Sequence, residues 1–254
     1  MFIKQLKYDL LFGRDAFFGM GALLLGVSII MAMVISAQEQ GGAMSSVGLT
    51  IVVSVIFAIT VTIASVATIG QLFSLFSKSF FGKSGYLMLT LPVTRATQII
   101  SKLTAAIIWS NYMALVAFLM LVIFAIILVD ENSWNMARTM NGSWSLAHIW
   151  EFIRGYFAIN TFIFMLISIV YLGITLGNST FGRMRIHGFI AGVTSLLYFA
   201  LSMWTIYRME RLFHPITPAN MDLYGYATVV VFIAFGVVAV VITYHLLSKR
   251  VDLQ

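Results

Sequence analysis

Six long apolar segments, none with an acidic or basic residue in its interior, constrain the fold of this chain more than any other feature. A bilayer core of about 30 Å requires about 20 apolar residues in a helix. Backbone groups in lipid must hydrogen-bond within their own segment, which favours helices. The sequence therefore predicts an all-α membrane protein with six transmembrane helices. The segments are residues 17–36, 47–75, 103–129, 155–176, 188–207 and 224–247.

The composition agrees with this prediction and excludes several classes of protein. Of the 254 residues, 61% are hydrophobic and 9% are charged, whereas soluble domains carry about 25% charged residues. The connecting segments are too short for a separate soluble domain, so residues 1–254 are interpreted as a single membrane domain. The chain has no cysteine, which excludes disulfides, thiolate metal sites and thiol catalysis.

The distribution of basic residues predicts the orientation. Eleven of the 15 lysine and arginine residues fall in the terminal segments and the loops on the same side. Cytoplasmic loops carry the excess of basic residues, so both termini are predicted to be cytoplasmic. We interpret this charge as favouring membrane lipids with anionic head groups rather than nucleic acid. The eleven residues are Lys4, Lys7, Arg14, Lys78, Lys83, Arg95, Lys102, Arg183, Arg185, Lys249 and Arg250.

Residues 1–15 precede the first apolar segment and have an amphipathic pattern. Phe2, Ile3, Leu6 and Leu10 recur near helical spacing, with basic residues between them. This pattern predicts an interfacial helix that lies in the membrane plane. The alternative is a polar leader followed by an early start of the first helix.

The short motifs that could carry chemistry are incomplete. Gly82-Lys83-Ser84 resembles the end of a phosphate-binding loop, but its leading glycine is replaced by Ser77. The four histidines show no ligand spacing. We therefore expect no catalytic residue, no metal site and no cofactor in this chain.

The polar residues inside the apolar segments are uncharged, and two interpretations stay open. Hydroxyl groups in transmembrane helices commonly serve helix packing. Alternatively, some of them line a polar translocation path. The residues assigned to such a path are Thr60, Thr62, Thr68 and Asn160.

The loop between the second and third apolar segments, residues 77–98, is the most unusual connection. It is basic, lacks acidic residues and contains the apolar stretch 86–91, which is too short to cross a bilayer. Lipid or a partner protein should cover this stretch. Thr94 is predicted to be the N-cap of the following helix.

This loop resembles the first cytoplasmic loop of bacterial ABC-2 type transporter permeases. The resemblance rests on Gly85-Tyr86-Leu87, Thr90-Leu91-Pro92-Val93, Arg95 and Ser101-Lys102-Leu103. The basic ending 246–253 is also similar to the cytoplasmic tail of that family. Within the family, the chain looks most like permeases of exporters for phenol-soluble modulins and antimicrobial peptides.

The resemblance implies a permease subunit of an ATP-driven exporter in the bacterial plasma membrane. It implies two partners: a separate ATP-binding subunit that holds Mg-ATP, and a second permease copy, identical or closely related. The substrates would be amphipathic or hydrophobic peptides, or drugs, and this chain would not be an enzyme. The residues implied to couple it to the ATP-binding subunit are Lys78, Gly82, Lys83, Tyr86, Leu87, Leu89, Leu91, Pro92 and Arg95, with a second contact at Arg183 and Arg185.

Two other classes compete with this interpretation. An energy-independent channel or carrier would need a charged or backbone-lined route, which the sequence does not display. A non-transporting membrane sensor or assembly subunit has no distinguishing sequence requirement and stays open.

Overall fold

The structure, a computed structural model, describes residues 2–39, 47–81, 93–128, 146–181, 187–212 and 218–251. These ranges are helical apart from Val93 and Thr94. Each helix is long and apolar enough to cross a bilayer. The prediction of an all-α, multi-pass membrane protein is therefore confirmed. The helices are α1 (Phe2–Glu39), α2 (Val47–Phe81), α3 (Arg95–Leu128), α4 (Leu146–Phe181), α5 (His187–Leu212) and α6 (Pro218–Val251).

The helices extend beyond the predicted apolar segments, which corrects two boundaries. Helix α1 runs without interruption from Phe2 to Glu39, so residues 2–15 are its first turns. The first helix therefore starts earlier than residue 17, and the position of residues 2–15 in the membrane plane stays a prediction. The predicted loop 77–98 is also too long, because α2 continues to Phe81 and α3 begins at Arg95.

Local chemistry explains where two of the helices begin. The Thr97 backbone N–H donates to Thr94 Oγ1 over 3.4 Å, and the Gln98 N–H donates to the Thr94 carbonyl over 3.2 Å. This is the geometry of an N-cap residue, so the predicted cap is confirmed. Helix α6 begins at Pro218, where the missing N–H of proline costs no intrahelical hydrogen bond.

The described helices divide into two compact units. Unit 1 contains residues 1–10, 72–107 and 153–254, and unit 2 contains residues 11–71 and 108–152. Transmembrane helices associate through close packing and interhelical hydrogen bonds, because lipid is as apolar as their side chains.

The core of unit 1 brings together α2, α3, α4 and α6. Tyr171 of α4 stacks on Phe76 of α2, with ring centroids 4.1 Å apart and an interplanar angle of 17°. Offset aromatic pairs of this kind contribute beyond the area they bury. The buried side chains of this cluster are Phe76, Phe80, Ile99, Leu103, Ala106, Ile167, Tyr171 and Leu247.

Helices α4 and α5 approach each other closely at Gly173 in unit 1. A β-carbon at this position would lie 2.6 Å from the Ala191 carbonyl oxygen and would also collide with the Ser195 hydroxyl. Only glycine fits this approach, as at small-residue contacts between transmembrane helices.

The core of unit 2 is formed by α1, α2 and α3. Phe17 of α1 stacks on Trp109 of α3, with centroids 4.5 Å apart. Gly21 faces Tyr112, whose ring leaves no space for a β-carbon. Unit 2 is thus held together by aromatic side chains of α3 packed against glycine and phenylalanine on α1.

Candidate functional site

An ion pair between Asp9 of α1 and Lys102 of α3 is buried in unit 1. Lys102 Nζ donates to Asp9 Oδ1 over 2.8 Å, and the two side chains are 0% and 7% exposed. Each residue lies seven positions from the start of its helix, or about 10 Å along the axis. The sequence analysis counted Lys102 among the basic residues on the cytoplasmic side and placed Asp9 within the predicted interfacial helix, but it did not pair the two residues.

The second oxygen of Asp9 is also satisfied. Ser101 Oγ donates to Asp9 Oδ2 over 2.8 Å, so consecutive residues of α3 neutralise and hydrogen-bond one carboxylate. A buried charge is costly unless it is paired and its remaining hydrogen-bonding capacity is used. This arrangement meets both conditions, which explains how a carboxylate is tolerated beside the apolar core.

Aromatic residues enclose the ion pair. The Lys102 ammonium lies 5.6 Å from the centre of the Phe80 ring in the last turn of α2. The Tyr171 hydroxyl of α4 donates to the backbone carbonyl of Lys102 over 3.4 Å. The pair therefore connects α1 to α3 while its neighbours on α2 and α4 exclude solvent.

Arg95 ties the first turn of α3 to the end of α6. Its Nη1 donates to the carbonyls of Ser248 over 2.7 Å and Leu247 over 3.3 Å. The last carbonyls of a helix lack intrahelical partners and carry partial negative charge. A guanidinium is well suited to this position because it stays charged and offers several donors.

These contacts form one continuous set, which we call the anchor cluster. Phe80 lies in the last turn of α2 and Arg95 is the first residue of α3, so these two members flank residues 82–94 in the chain. The start of α3 is thus fixed to α1, α4 and α6 through polar contacts. The anchor cluster consists of Asp9, Phe80, Arg95, Ser101, Lys102, Tyr171, Leu247 and Ser248.

The Gln5 amide lies one turn before Asp9 on α1. Both of its polar side-chain atoms are buried, and neither has a hydrogen-bond partner among the residues that the structure describes. Burying an unsatisfied amide costs about 1–3 kcal/mol. Gln5 therefore weakens the region that the Asp9–Lys102 pair holds together.

Of the residues predicted to couple the chain to a partner, two lie in the described ranges. Lys78 is exposed in the last turn of α2, and Arg95 contacts α6 as described above. The remaining residues lie outside the described residues, and their assignment stays a prediction. They are Gly82, Lys83, Tyr86, Leu87, Leu89, Leu91, Pro92, Arg183 and Arg185.

The residues assigned to a polar path are divided between the two units. Thr60 and Thr62 donate to the carbonyls four residues earlier, each over 2.8 Å. Thr68 does the same over 2.7 Å, and its hydroxyl lies 3.9 Å from Met20 Sδ. Asn160 of unit 1 donates to the Tyr156 carbonyl over 3.0 Å. These hydrogen bonds lie within single helices and do not distinguish helix packing from a polar path, so the polar path stays a prediction.

Thr68 also lines an apolar crevice of about 590 Å³ in unit 2. Ser65 is the neighbouring hydroxyl, and its hydrogen bond goes to the Val61 carbonyl over 2.8 Å. The other lining residues are aliphatic, aromatic or methionine side chains, including Leu24, Phe57 and Met120. Within unit 2, Thr60 and Thr62 do not line this crevice.

The anchor cluster offers structural rather than catalytic chemistry. Asp9 has both carboxylate oxygens occupied. In the described part of the chain, no group of three histidine, aspartate or glutamate side chains could hold a metal ion. What the cluster provides is a mechanical connection between five helices, at the positions in the chain that flank residues 82–94.

Comparison with known proteins adds no further identification. No family model, no curated protein and no solved structure matches this chain. The class established by the fold is a multi-pass, six-helix membrane protein.

Proposed function

We propose that the chain is the permease subunit of an ATP-driven ABC exporter in the bacterial plasma membrane, with both termini in the cytoplasm. A separate ATP-binding subunit docks on the first cytoplasmic loop, and a second permease copy completes the translocation unit. The substrates are amphipathic or hydrophobic peptides, or drugs. Mg-ATP is bound and hydrolysed by the partner, and this chain contributes no catalytic residue.

The observation that carries the proposal is the anchor cluster beside residues 82–94. A loop that receives force from another protein moves the membrane helices only where its flanks are attached to them. Here the Asp9–Lys102 pair and the Arg95 contacts attach the start of α3 to α1 and α6. The apolar stretch 86–91 supplies the surface that a partner would cover.

The mechanism follows from these attachments. ATP binding and hydrolysis in the partner displace the docked loop, and α3 moves together with the helices tied to it. Packed helices have discrete arrangements rather than a continuous range of them. The loop movement therefore switches the bundle between two states, which alternately expose a path between the two permease copies.

The test is the ATPase activity of the complex between this chain and the ATP-binding subunit that we expect to co-purify with it. Tyr86→Asp and Leu89→Asp each place a charge in the proposed apolar contact, so both should abolish co-purification and stimulation of ATPase activity. Ile3→Asp is the control, because Ile3 is 80% exposed and lies outside the loop. Unchanged assembly and turnover in both loop variants would refute the docking assignment.

A further inference from the structure

We infer that unit 1 contains a binding site for one acyl chain of an anionic phospholipid, in a crevice between α2, α4 and α5. The crevice has a volume of about 520 Å³, within the range of about 300–1,000 Å³ found for small-molecule sites. Its lining residues are Phe73, Ser77, Leu166, Ile169, Val170, Ile174, Gly188, Ala191, Gly192, Ser195, Leu196 and Phe199. This inference does not depend on the proposed function.

The chemistry of the lining requires an apolar occupant. The lining side chains are apolar apart from Ser77 and Ser195. The Ser195 hydroxyl already donates to the Ala191 carbonyl over 2.8 Å. A ligand with buried polar groups would lose its hydrogen bonds with water here and gain few in return.

The length of the crevice fits one membrane leaflet. Along α5 it extends from Gly188 in the first turn to Phe199, a rise of about 16 Å. Half of a bilayer core of about 30 Å is about 15 Å. A single acyl chain, running inward from the membrane surface, therefore matches the length as well as the polarity.

Two glycines keep the crevice open. A β-carbon at Gly188 or Gly192 would meet no atom within 4 Å, whereas Gly173, across the α4–α5 contact, has no space at all. Leu196, on the rim, is 69% exposed. The chain therefore packs α5 against α4 along one line and leaves the adjoining groove unfilled.

A basic residue one position beyond the crevice-lining Ser77 favours an anionic head group. Lys78 follows Ser77 directly and is exposed in the last turn of α2. A basic residue near the membrane surface adds about 1 kcal/mol to the binding of anionic lipid. The apolar groove and this ammonium group together match a phospholipid with a negatively charged head group, such as phosphatidylglycerol.

The experiment uses the full chain in vesicles of equal parts phosphatidylcholine and phosphatidylglycerol. Each lipid is supplied in turn with the same photoreactive group in its acyl chain, and the cross-linked residues are mapped by mass spectrometry. We expect adducts at Leu196 and Phe199. Phosphatidylglycerol should be preferred, and Lys78→Gln should reduce that preference about fivefold, the equivalent of about 1 kcal/mol. Lys249→Gln is the control, since Lys249 is exposed on α6, which does not line the crevice.

Filling the crevice provides the decisive variants. Gly192→Leu and Gly188→Leu should each remove the adducts, and either variant suffices if the other fails to fold. Gly155→Leu should retain them, because Gly155 is exposed on α4 with equally open surroundings outside the crevice. The proposed site would be refuted if the adducts persisted in a folded Gly188→Leu or Gly192→Leu variant. It would also be refuted if phosphatidylcholine and phosphatidylglycerol labelled the natural chain equally.

A second copy of this chain is the competing occupant. The natural sequence has no cysteine, so Gly192→Cys introduces a single thiol into the crevice. Failure of this variant to form a disulfide-linked dimer in the same vesicles supports the lipid site. Efficient dimer formation would overturn it.

Discussion

The buried ion pair gives the strongest prediction about stability. Lys102→Met leaves the Asp9 carboxylate buried with, among the described residues, the Ser101 hydroxyl as its remaining partner. Breaking one side of a buried pair costs about 3–5 kcal/mol, because the remaining charge stays desolvated. For a chain of this length each kcal/mol shifts the melting temperature by about 2–4 °C. The single variant should therefore melt about 6–20 °C below the natural chain.

Replacing both partners should restore most of this loss. In the double variant Asp9→Leu/Lys102→Met no charge remains buried, and such replacements are often neutral or stabilising. Arg14→Met is the matched control. Arg14 pairs with Asp15 at 2.9 Å, but the side chains are 56% and 87% exposed, so the loss should be about 0–1 kcal/mol.

The assay is thermal unfolding of the purified chain in a mild detergent, monitored by tryptophan fluorescence. The natural chain, both single variants, the double variant and the control are compared under identical conditions. The reasoning would be refuted if Lys102→Met lost no more stability than Arg14→Met. It would also be refuted if the stability lost in the double variant equalled the sum of the losses in Asp9→Leu and Lys102→Met. Additive losses would indicate that the two side chains do not interact.

Three further predictions use the same unfolding assay. Gln5→Met should raise stability by about 1 kcal/mol, because it removes a buried amide that has no partner among the described residues. A loss of stability of that size would contradict this expectation. Arg95→Met should cost about 1–3 kcal/mol of stability, because the contacts with the end of α6 are lost. Arg95→Lys should lose less stability than Arg95→Met, because it keeps a cation at this position. An equal loss in both variants would argue against an electrostatic contribution. Gly173→Ala should cost about 1–3 kcal/mol of stability, because the added methyl group overpacks the contact with α5. Gly155→Ala should be neutral or slightly stabilising. Equal stability changes in the two variants would contradict the close approach of α4 and α5 at Gly173.

The sequence predicted the six helices because hydropathy alone determines which segments can cross a membrane. Their ends were predicted less well, since polar residues near them were assigned to loops. Asp9 and Lys102 lie within helices because their charges cancel in the folded chain. That cancellation joins residues 93 positions apart, and no local pattern in the sequence encodes it.

One local signal could have located Lys102. Thr94 was recognised as an N-cap, and a helix that begins there places Lys102 about two turns inside it. A lysine at that depth needs a partner, and Asp9 is one of few acidic residues near the ends of the other helices. By contrast, nothing in the sequence indicated that Arg95 would contact the carbonyls of α6.

The proposed contact between residues 86–91 and an ATP-binding subunit is tested most directly by site-specific cross-linking. A photoreactive amino acid replaces Leu89 in the full chain, which is expressed in its natural host and irradiated in intact membranes, and the cross-linked proteins are identified by mass spectrometry. We expect a covalent adduct with an ATP-binding subunit, and no such adduct when the same group replaces Ile3. Adducts confined to this chain's own helices or to lipid would contradict it.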